Sequence, residues 1–166
     1  MSSGPQDNRD RQPYEAFSLR KRMFEILVAK TEDKEAVQRI YTSVAGHRAV
    51  DDDEARWDRL IRAGGLLVAQ EEDRVIGFGG IDVHAAEQVK WLYLLPQYQG
   101  LGLGSEILKR LEDIGWDAGL DTLRLHSAID AEVFYRRHGY HSVPASDQIG
   151  HDHEGVEMVK ERHSTD

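Results

Sequence analysis

The chain has 166 residues, a formal net charge of −9 at neutral pH and no cysteine. A chain of about 150 residues buries roughly 70% of its unfolded surface, so this length can support one sizeable core. The missing cysteine excludes disulfides, thiolate nucleophiles and cysteine metal sites. The acidic balance argues against nucleic acid as a partner and favours a small cationic substrate. No apolar run approaches the ~20 residues that span a membrane, so we expect a cytoplasmic protein without a membrane partner.

The first residues differ in character from the rest of the chain. They carry no apolar periodicity, and residues 1–22 are predicted to form a disordered N-terminal tail. Residues 23–166 contain no internal repeat and no linker-like segment, which predicts a single domain.

Strand and helix patterns alternate through the first half of that domain. A first strand is predicted at 24–29 and a hairpin of strands at 66–69 and 75–81. Between them, apolar residues recur at helical spacing in two segments. The first helix is expected to begin at an N-cap, Thr31, and to end at Gly46.

The second half continues the alternation. The predicted elements, in chain order, are a strand at 88–95 that Pro96 ends, a helix from Leu103 to Ala118 that Gly119 ends, a strand with Leu123 and Leu125, a short helix capped by Asp130, and a strand at 155–160.

A glycine-rich segment lies between the strand at 88–95 and the following helix. Its residues are Gln99, Gly100, Leu101, Gly102, Leu103 and Gly104. Bare backbone N–H groups at a helix N-terminus suit an anion such as a diphosphate. A Walker loop is excluded because Ser105 and Glu106 stand where a lysine and a hydroxyl residue belong, and a dinucleotide fingerprint would need other glycine spacing early in the chain.

Two segments resemble signatures of the GNAT superfamily of N-acetyltransferases. The stretch from Leu92 to Ser105 resembles the acyl-CoA signature Gln/Arg-x-x-Gly-x-Gly/Ala through Gln99, Gly102 and Gly104. The stretch from Asp130 to Tyr140 resembles the later signature Ala-x-x-Phe/Leu-Tyr-x-x-x-Gly-Phe/Tyr. The resemblance covers residues 23–160 and implies an α/β fold, with a mixed, mostly antiparallel central sheet and helices on both faces.

The resemblance also implies acetyl-CoA as the acyl donor and a set of residues that bind it. Main-chain groups of Leu92, Tyr93 and Leu94 would pair with the pantetheine amides. The diphosphate would bind to the loop formed by Gln99, Gly100, Leu101, Gly102, Leu103, Gly104 and Ser105, while the side chains of Leu101 and Leu103 are expected in the core. Tyr135 stands where the family often has a tyrosine near the sulfur, either as proton donor to the leaving thiolate or as a packing and cofactor-binding residue.

The general base is less well defined by the sequence. Glu87 lies near the position from which some family members supply a carboxylate, although Gln88 aligns there more closely, and Glu87 could equally be an exposed edge residue. His126 ends the next strand and can accept a proton near neutral pH, or it is a partly buried polar residue. Asp82 and His84 are weaker candidates for orienting the amine or relaying a proton through water.

Two acidic segments have simpler interpretations than catalysis. Residues 151–154 combine histidines and acids, but adjacent residues on a loop without a third partner predict a loop and no metal site. Residues 51–54 are expected to cap the second helix, with attraction of a cationic amine as the alternative.

Two functions remain open from the sequence. The first is an N-acetyltransferase that moves the acetyl group of acetyl-CoA to a primary amine on a small molecule, peptide N-terminus or lysine, by direct attack in a ternary complex. The second is a non-catalytic acyl-CoA-binding or sensing module. Free strand edges in such a sheet would also permit a homodimer.

Overall fold

A computed structural model describes residues 23–46, 54–149 and 155–163. The strands in these ranges are β1 (Phe24–Val28), β2 (Leu66–Glu71), β3 (Arg74–Ile81), β4 (Val89–Leu94), β5 (Thr122–Ser127), β6 (His141–Ser142) and β7 (Val156–Glu161). The helices are α1 (Lys34–Ala45), α2 (Glu54–Ala63), α3 (Leu103–Asp117) and α4 (Glu132–Arg137). The predicted tail at residues 1–22 lies outside the described residues, and the single-domain assignment stays a prediction.

The strands form one sheet in the order β1-β2-β3-β4-β5-β7-β6. All neighbouring strands pair antiparallel except β4 and β5, which are parallel. The predicted mixed, mostly antiparallel sheet is therefore confirmed, and so is the order of its elements.

Each face of the sheet carries its own core. On one face, α3 packs through Ile107, Leu108 and Leu111 against strand residues that include Leu123 and Leu125. On the other face, α1 and α2 cover an aromatic cluster in which Trp57 stacks on Trp91 at a centroid distance of 4.0 Å. The predicted arrangement with helices on both faces is confirmed.

The close approach of α3 depends on a glycine in β3. A Cβ at Gly79 would lie 2.5 Å from the Ile107 side chain and 2.9 Å from Leu111. Any larger residue there would push α3 away from the sheet, because atoms do not approach that closely. The position of the N-terminus of α3 relative to β4 therefore depends on the chain having no side chain at Gly79.

Two predicted caps are wrong. Thr31 begins a short 3₁₀ turn, and the carboxylate of Asp33 reaches back to accept the Lys30 N–H at 2.9 Å, so α1 starts only at Lys34. Asp130 lies inside a second 3₁₀ turn (Ile129–Ala131), and the residue before α4 is Ala131. In both places an extra turn precedes the helix and moves the cap position along the chain.

Candidate active site

The central feature of the site is a gap between the two parallel strands. In the described part of the chain, β4 and β5 pair at one position, Val89 with Leu125. Beyond it, β4 stays paired with β3 as far as Leu94, which lies opposite Gly77. A bulge between Gly80 and Ile81 disturbs this ladder beside Val89, and bulges bend and twist strands. The part of β4 beyond Val89 is therefore not paired with any described strand on the side that faces β5.

Hydrogen-bond alternation shows which main-chain groups face this gap. The Leu95 N–H donates to the Ile76 carbonyl at 3.0 Å, so the groups of Leu95 and Tyr93 face β3. The groups of Leu92 and Leu94 then face the gap, and the Leu94 carbonyl accepts a hydrogen bond from Gln99 Nε2 at 3.1 Å. Of the three residues expected to pair with pantetheine, Leu92 and Leu94 have the suitable orientation, whereas Tyr93 does not.

The glycine-rich segment forms an uncapped helix start. Gly100 and Gly102 have φ values of 79° and 85°, which favour glycine, and Gly102 occupies the N-cap of α3. At this end of α3 the Glu106 N–H donates to the Gly102 carbonyl at 3.2 Å. The N–H groups of Leu103, Gly104 and Ser105 precede this bond, so helix geometry leaves them available to an anion.

The side chains of this segment divide between core and solvent. Leu103 is 6% exposed and joins the core beneath α3, as expected. Leu101 is 49% exposed, so its expected core position is wrong. It lies between two glycines with positive φ values, in the turn that precedes α3.

Tyr135 lies on α4 beside this helix start. A Cβ at Gly104 would meet the neighbouring Phe134 ring at 3.5 Å and Leu94 at 3.7 Å, so α3, α4 and β4 converge here. Burial raises the pKa of the Tyr135 phenol well above its ordinary value, and the nearby Tyr93 adds to that rise. The phenol is therefore protonated at neutral pH and carries an O–H that can donate a hydrogen bond, while the raised pKa makes it a weaker acid than a free tyrosine.

His126 lies at the apex of the gap, one residue beyond Leu125. Leu123 and Leu125 point into the core under α3, so Arg124 and His126 point to the face that carries α1 and α2. The cross-strand partner of His126 in β7 is Glu157. The Glu157 side chain is 4% exposed, and its carboxylate accepts the Ile149 N–H at 2.8 Å. The imidazole packs against the Gly155 backbone, where an added Cβ would lie 2.3 Å from Nε2.

Glu87 lies on the other side of the Val89–Leu125 pair, in a bend before β4. The neighbouring Gln88 has a structural role, because its Oε1 accepts the Arg124 N–H at 2.9 Å and its Nε2 donates to the Ala85 carbonyl at 3.0 Å. The bond to Arg124 joins the start of β4 to β5 at the closed end of the gap. Between the two candidate bases, His126 is the one on the open side.

The weaker candidates are engaged elsewhere. Asp82 accepts a hydrogen bond from Arg59 at 3.0 Å and from the His84 N–H at 3.1 Å. Burial alone would raise the pKa of Asp82, but these bonds outweigh burial and hold the pKa below its usual value. Glu54 pairs with Lys34 of α1, while residues 51–53 and 151–154 lie outside the described residues. Among those that are described, no group of three histidine or acidic side chains could hold a metal ion.

One contact at the site was not anticipated. His138, directly after α4, bonds through Nε2 to Ser105 Oγ at 2.9 Å and through Nδ1 to the Phe134 carbonyl at 2.8 Å. The two residues of the first bond are 33 positions apart, and no spacing rule links them. His138 falls within the later signature, at a position where that signature allows any residue.

The fold and site together define an α/β domain of the acyl-CoA N-acyltransferase type. Residues 62–142 match the family model of the acetyltransferase (GNAT) domain. This match covers about half of the chain, confirms the predicted resemblance to the GNAT superfamily over those residues, and supports the predicted class, an acetyl-CoA-dependent N-acetyltransferase. No curated protein matches the sequence significantly.

Solved structures with the same fold include three from different organisms. N-acetylglutamate synthase from Neisseria gonorrhoeae, complexed with coenzyme A and N-acetyl-glutamate, has a TM-score of 0.72 at 15% identity over 87% of this chain and 36% of the synthase chain. This chain thus spans about a third of that relative's length. PaiA N-acetyltransferase from Thermoplasma acidophilum, complexed with coenzyme A, has a TM-score of 0.61 at 22% identity, covering 84% of this chain and 99% of its own. Naa50 from Arabidopsis thaliana, with the bisubstrate analogue CoA-Ac-MVNAL, has a TM-score of 0.66 at 17% identity and the same two coverages.

These likenesses establish the fold, and the ligands in the three structures agree with acetyl-CoA as the predicted donor. In the part of the chain that is described, none of the helices combines the length and apolar character needed to cross a bilayer.

Proposed function

We propose that this protein transfers the acetyl group of acetyl-CoA to a primary amine by direct attack in a ternary complex. The observation that carries the proposal is the uncapped first turn of α3 beside the open edge of β4. An anion-binding helix start and a line of outward main-chain groups suit the diphosphate and the pantetheine arm of one ligand.

The residues of the donor side have separate tasks in this proposal. The N–H groups of Leu103, Gly104 and Ser105 bind the diphosphate, and the loop from Gln99 to Gly102 shapes the approach to them. Leu92 and Leu94 bind the pantetheine amides through their main chain. Tyr135 donates its phenolic proton to the thiolate that leaves, and its place on α4 beside the start of α3 supports the role.

His126 is the preferred base on the acceptor side, with Glu87 as the second candidate. The base accepts a proton from the amine, the nitrogen–carbon bond forms and the carbon–sulfur bond breaks. His126 is favoured because it shares the face of α1 and α2 with Tyr93, whose ring packs against Tyr41 at 5.5 Å. An amine arriving on this face would meet the imidazole at the apex of the gap.

The acceptor is proposed to be a primary amine on a small molecule, peptide N-terminus or lysine. The net charge of −9 favours a cationic acceptor. The pairing of Asp82 with Arg59 and of Glu54 with Lys34 gives no added support for cation binding at those two positions. A homodimer and a cytoplasmic location stay predictions.

A thiol-release screen tests the function. The full chain and acetyl-CoA are combined with polyamines, aminoglycosides, amino acids and peptides, and free coenzyme A is measured. We expect release with at least one class of amine, reduced in Tyr135→Phe and His126→Gln with unchanged coenzyme A binding. Glu87→Gln should have the smaller effect. Coenzyme A binding without thiol release for any amine would instead support the non-catalytic acyl-CoA-binding module.

A further inference from the structure

His138 links the two helices that border the site. Its Nε2 lies 2.9 Å from Ser105 Oγ on α3, and its Nδ1 lies 2.8 Å from the Phe134 carbonyl on α4. The ring also packs against the Phe134 ring at a centroid distance of 4.5 Å. The half-buried imidazole thus has both nitrogens and one ring face in contact with neighbouring residues.

The chemistry of these partners fixes the direction of both bonds in the neutral imidazole. A carbonyl oxygen only accepts, so Nδ1 carries the proton and donates it to Phe134. Nε2 is then the acceptor, and the Ser105 hydroxyl donates to it. The Ser105 side chain is therefore held toward α4, which leaves its backbone N–H as its donor for an anion.

The two ends of this link have different roles in the proposed reaction. Ser105 is the third residue of α3 and supplies one of the N–H groups assigned to the diphosphate. On the other side, the His138 N–H donates to the Tyr135 carbonyl at 2.9 Å. The link thus joins the diphosphate end of the site to the residue that carries the proposed acid.

Helix α4 depends on such contacts for its position. It has six residues, and none of them is fully buried. A helix of this length is not stable by itself in water. Besides the contact of Phe134 with Gly104, the hydrogen bond from Ser105 to His138 ties α3 directly to the residue that follows α4.

We propose that His138 is a positioning residue that sets the distance between the N–H groups assigned to the diphosphate, at the start of α3, and the Tyr135 phenol. This inference rests on the proposed function. His138 touches neither the thioester nor the amine in this scheme, and it acts through Ser105 and Tyr135. Loss of the link should weaken coenzyme A binding and, separately, misplace the acid.

The test uses the full chain and four variants. His138→Leu removes both ring bonds, whereas His138→Gln keeps an oxygen that can accept the Ser105 hydroxyl. Ser105→Ala removes the same bond from the other side. His141→Leu is the matched control, because His141 is exposed and bonds only to the exposed Glu161 among the contacts seen for it. Calorimetry with coenzyme A gives Kd, and thiol release gives kcat and KM.

We expect His138→Leu to raise Kd for coenzyme A about five- to tenfold, the effect of one hydrogen bond, and to lower kcat as well. His138→Gln should recover most of the affinity, and His141→Leu should match the wild type. Adding Ser105→Ala to His138→Leu should change little, since the leucine variant has already lost the bond that Ser105→Ala breaks. In a Tyr135→Phe background, His138→Leu should still raise Kd but no longer lower kcat.

Other results would overturn the positioning role. These are unchanged Kd and kcat in His138→Leu, additive effects of His138→Leu and Ser105→Ala, or a loss of thermal stability with normal Kd and kcat in the folded fraction. A wild-type chain that does not bind coenzyme A would instead refute the proposed function, and this inference with it.

Discussion

Replacing Gly102 with alanine separates ligand binding from backbone strain. Gly102 has φ +85° and no atom within 4 Å of an added Cβ, and Gly119 at the other end of α3 has φ +92° and equally open space. In both places the cost is the left-handed backbone, about 1–2 kcal/mol, offset by the ~0.4–1 kcal/mol that alanine gains by restricting the unfolded chain. Each variant should therefore lose roughly 1 kcal/mol of unfolding free energy.

The two variants should differ in binding. A methyl group at Gly102 stands at the N-cap, beside the N–H groups assigned to the diphosphate, whereas one at Gly119 stands at the far end of the helix. Gly102→Ala should weaken coenzyme A at least tenfold, or about 1.4 kcal/mol, while Gly119→Ala binds as the wild type does. Urea unfolding gives the stability and calorimetry the affinity. Equal losses of affinity, or no loss in either variant, would refute the reasoning.

Three further predictions concern other groups. Tyr135→Phe should lower kcat by about 100-fold or more with little change in Kd, measured by thiol release and calorimetry; an equal loss in binding would contradict an acid role. Lys160→Met should cost about 3–5 kcal/mol in urea unfolding, because Lys160 Nζ donates at 2.9 Å to the buried Glu112 carboxylate, which would lose its cationic partner. Because the pKa of Asp82 is lowered in the folded state, its stabilising contribution is present above its unfolded pKa and is lost as pH falls through its folded pKa. The thermal midpoint of the wild type should therefore exceed that of Asp82→Asn near neutral pH, and the two should converge in acid. A constant difference at all pH values would exclude this linkage.

Local patterns account for most of the fold. Apolar periodicity predicts α1, α2 and α3, and the glycine-rich segment with Pro96 predicts where β4 ends and α3 begins. Those features depend on residues close in sequence, which is why they can be read directly. The errors at Thr31 and Asp130 arise where a short 3₁₀ turn competes with a cap, a choice that depends on a few hydrogen bonds.

The site is less accessible from the sequence because its parts are joined through tertiary contacts. The gap follows from the single pairing of Val89 with Leu125, which no local pattern specifies. The same applies to the outward orientation of Leu101, which is set by the turn, and to the bond between Ser105 and His138. The glycine signature predicts the anion-binding residues, but only the sheet indicates that His126 lies on the open side and Glu87 on the closed side.

The central claim is that free N–H groups at the start of α3 hold the diphosphate of coenzyme A. Backbone amide resonances of the full chain, followed by NMR during titration with coenzyme A, test this most directly. The account predicts that the amides of Leu103, Gly104 and Ser105 shift strongly and saturate together, while those around Gly119 do not move. Binding that leaves these three amides unshifted, or no binding at millimolar ligand, would contradict it.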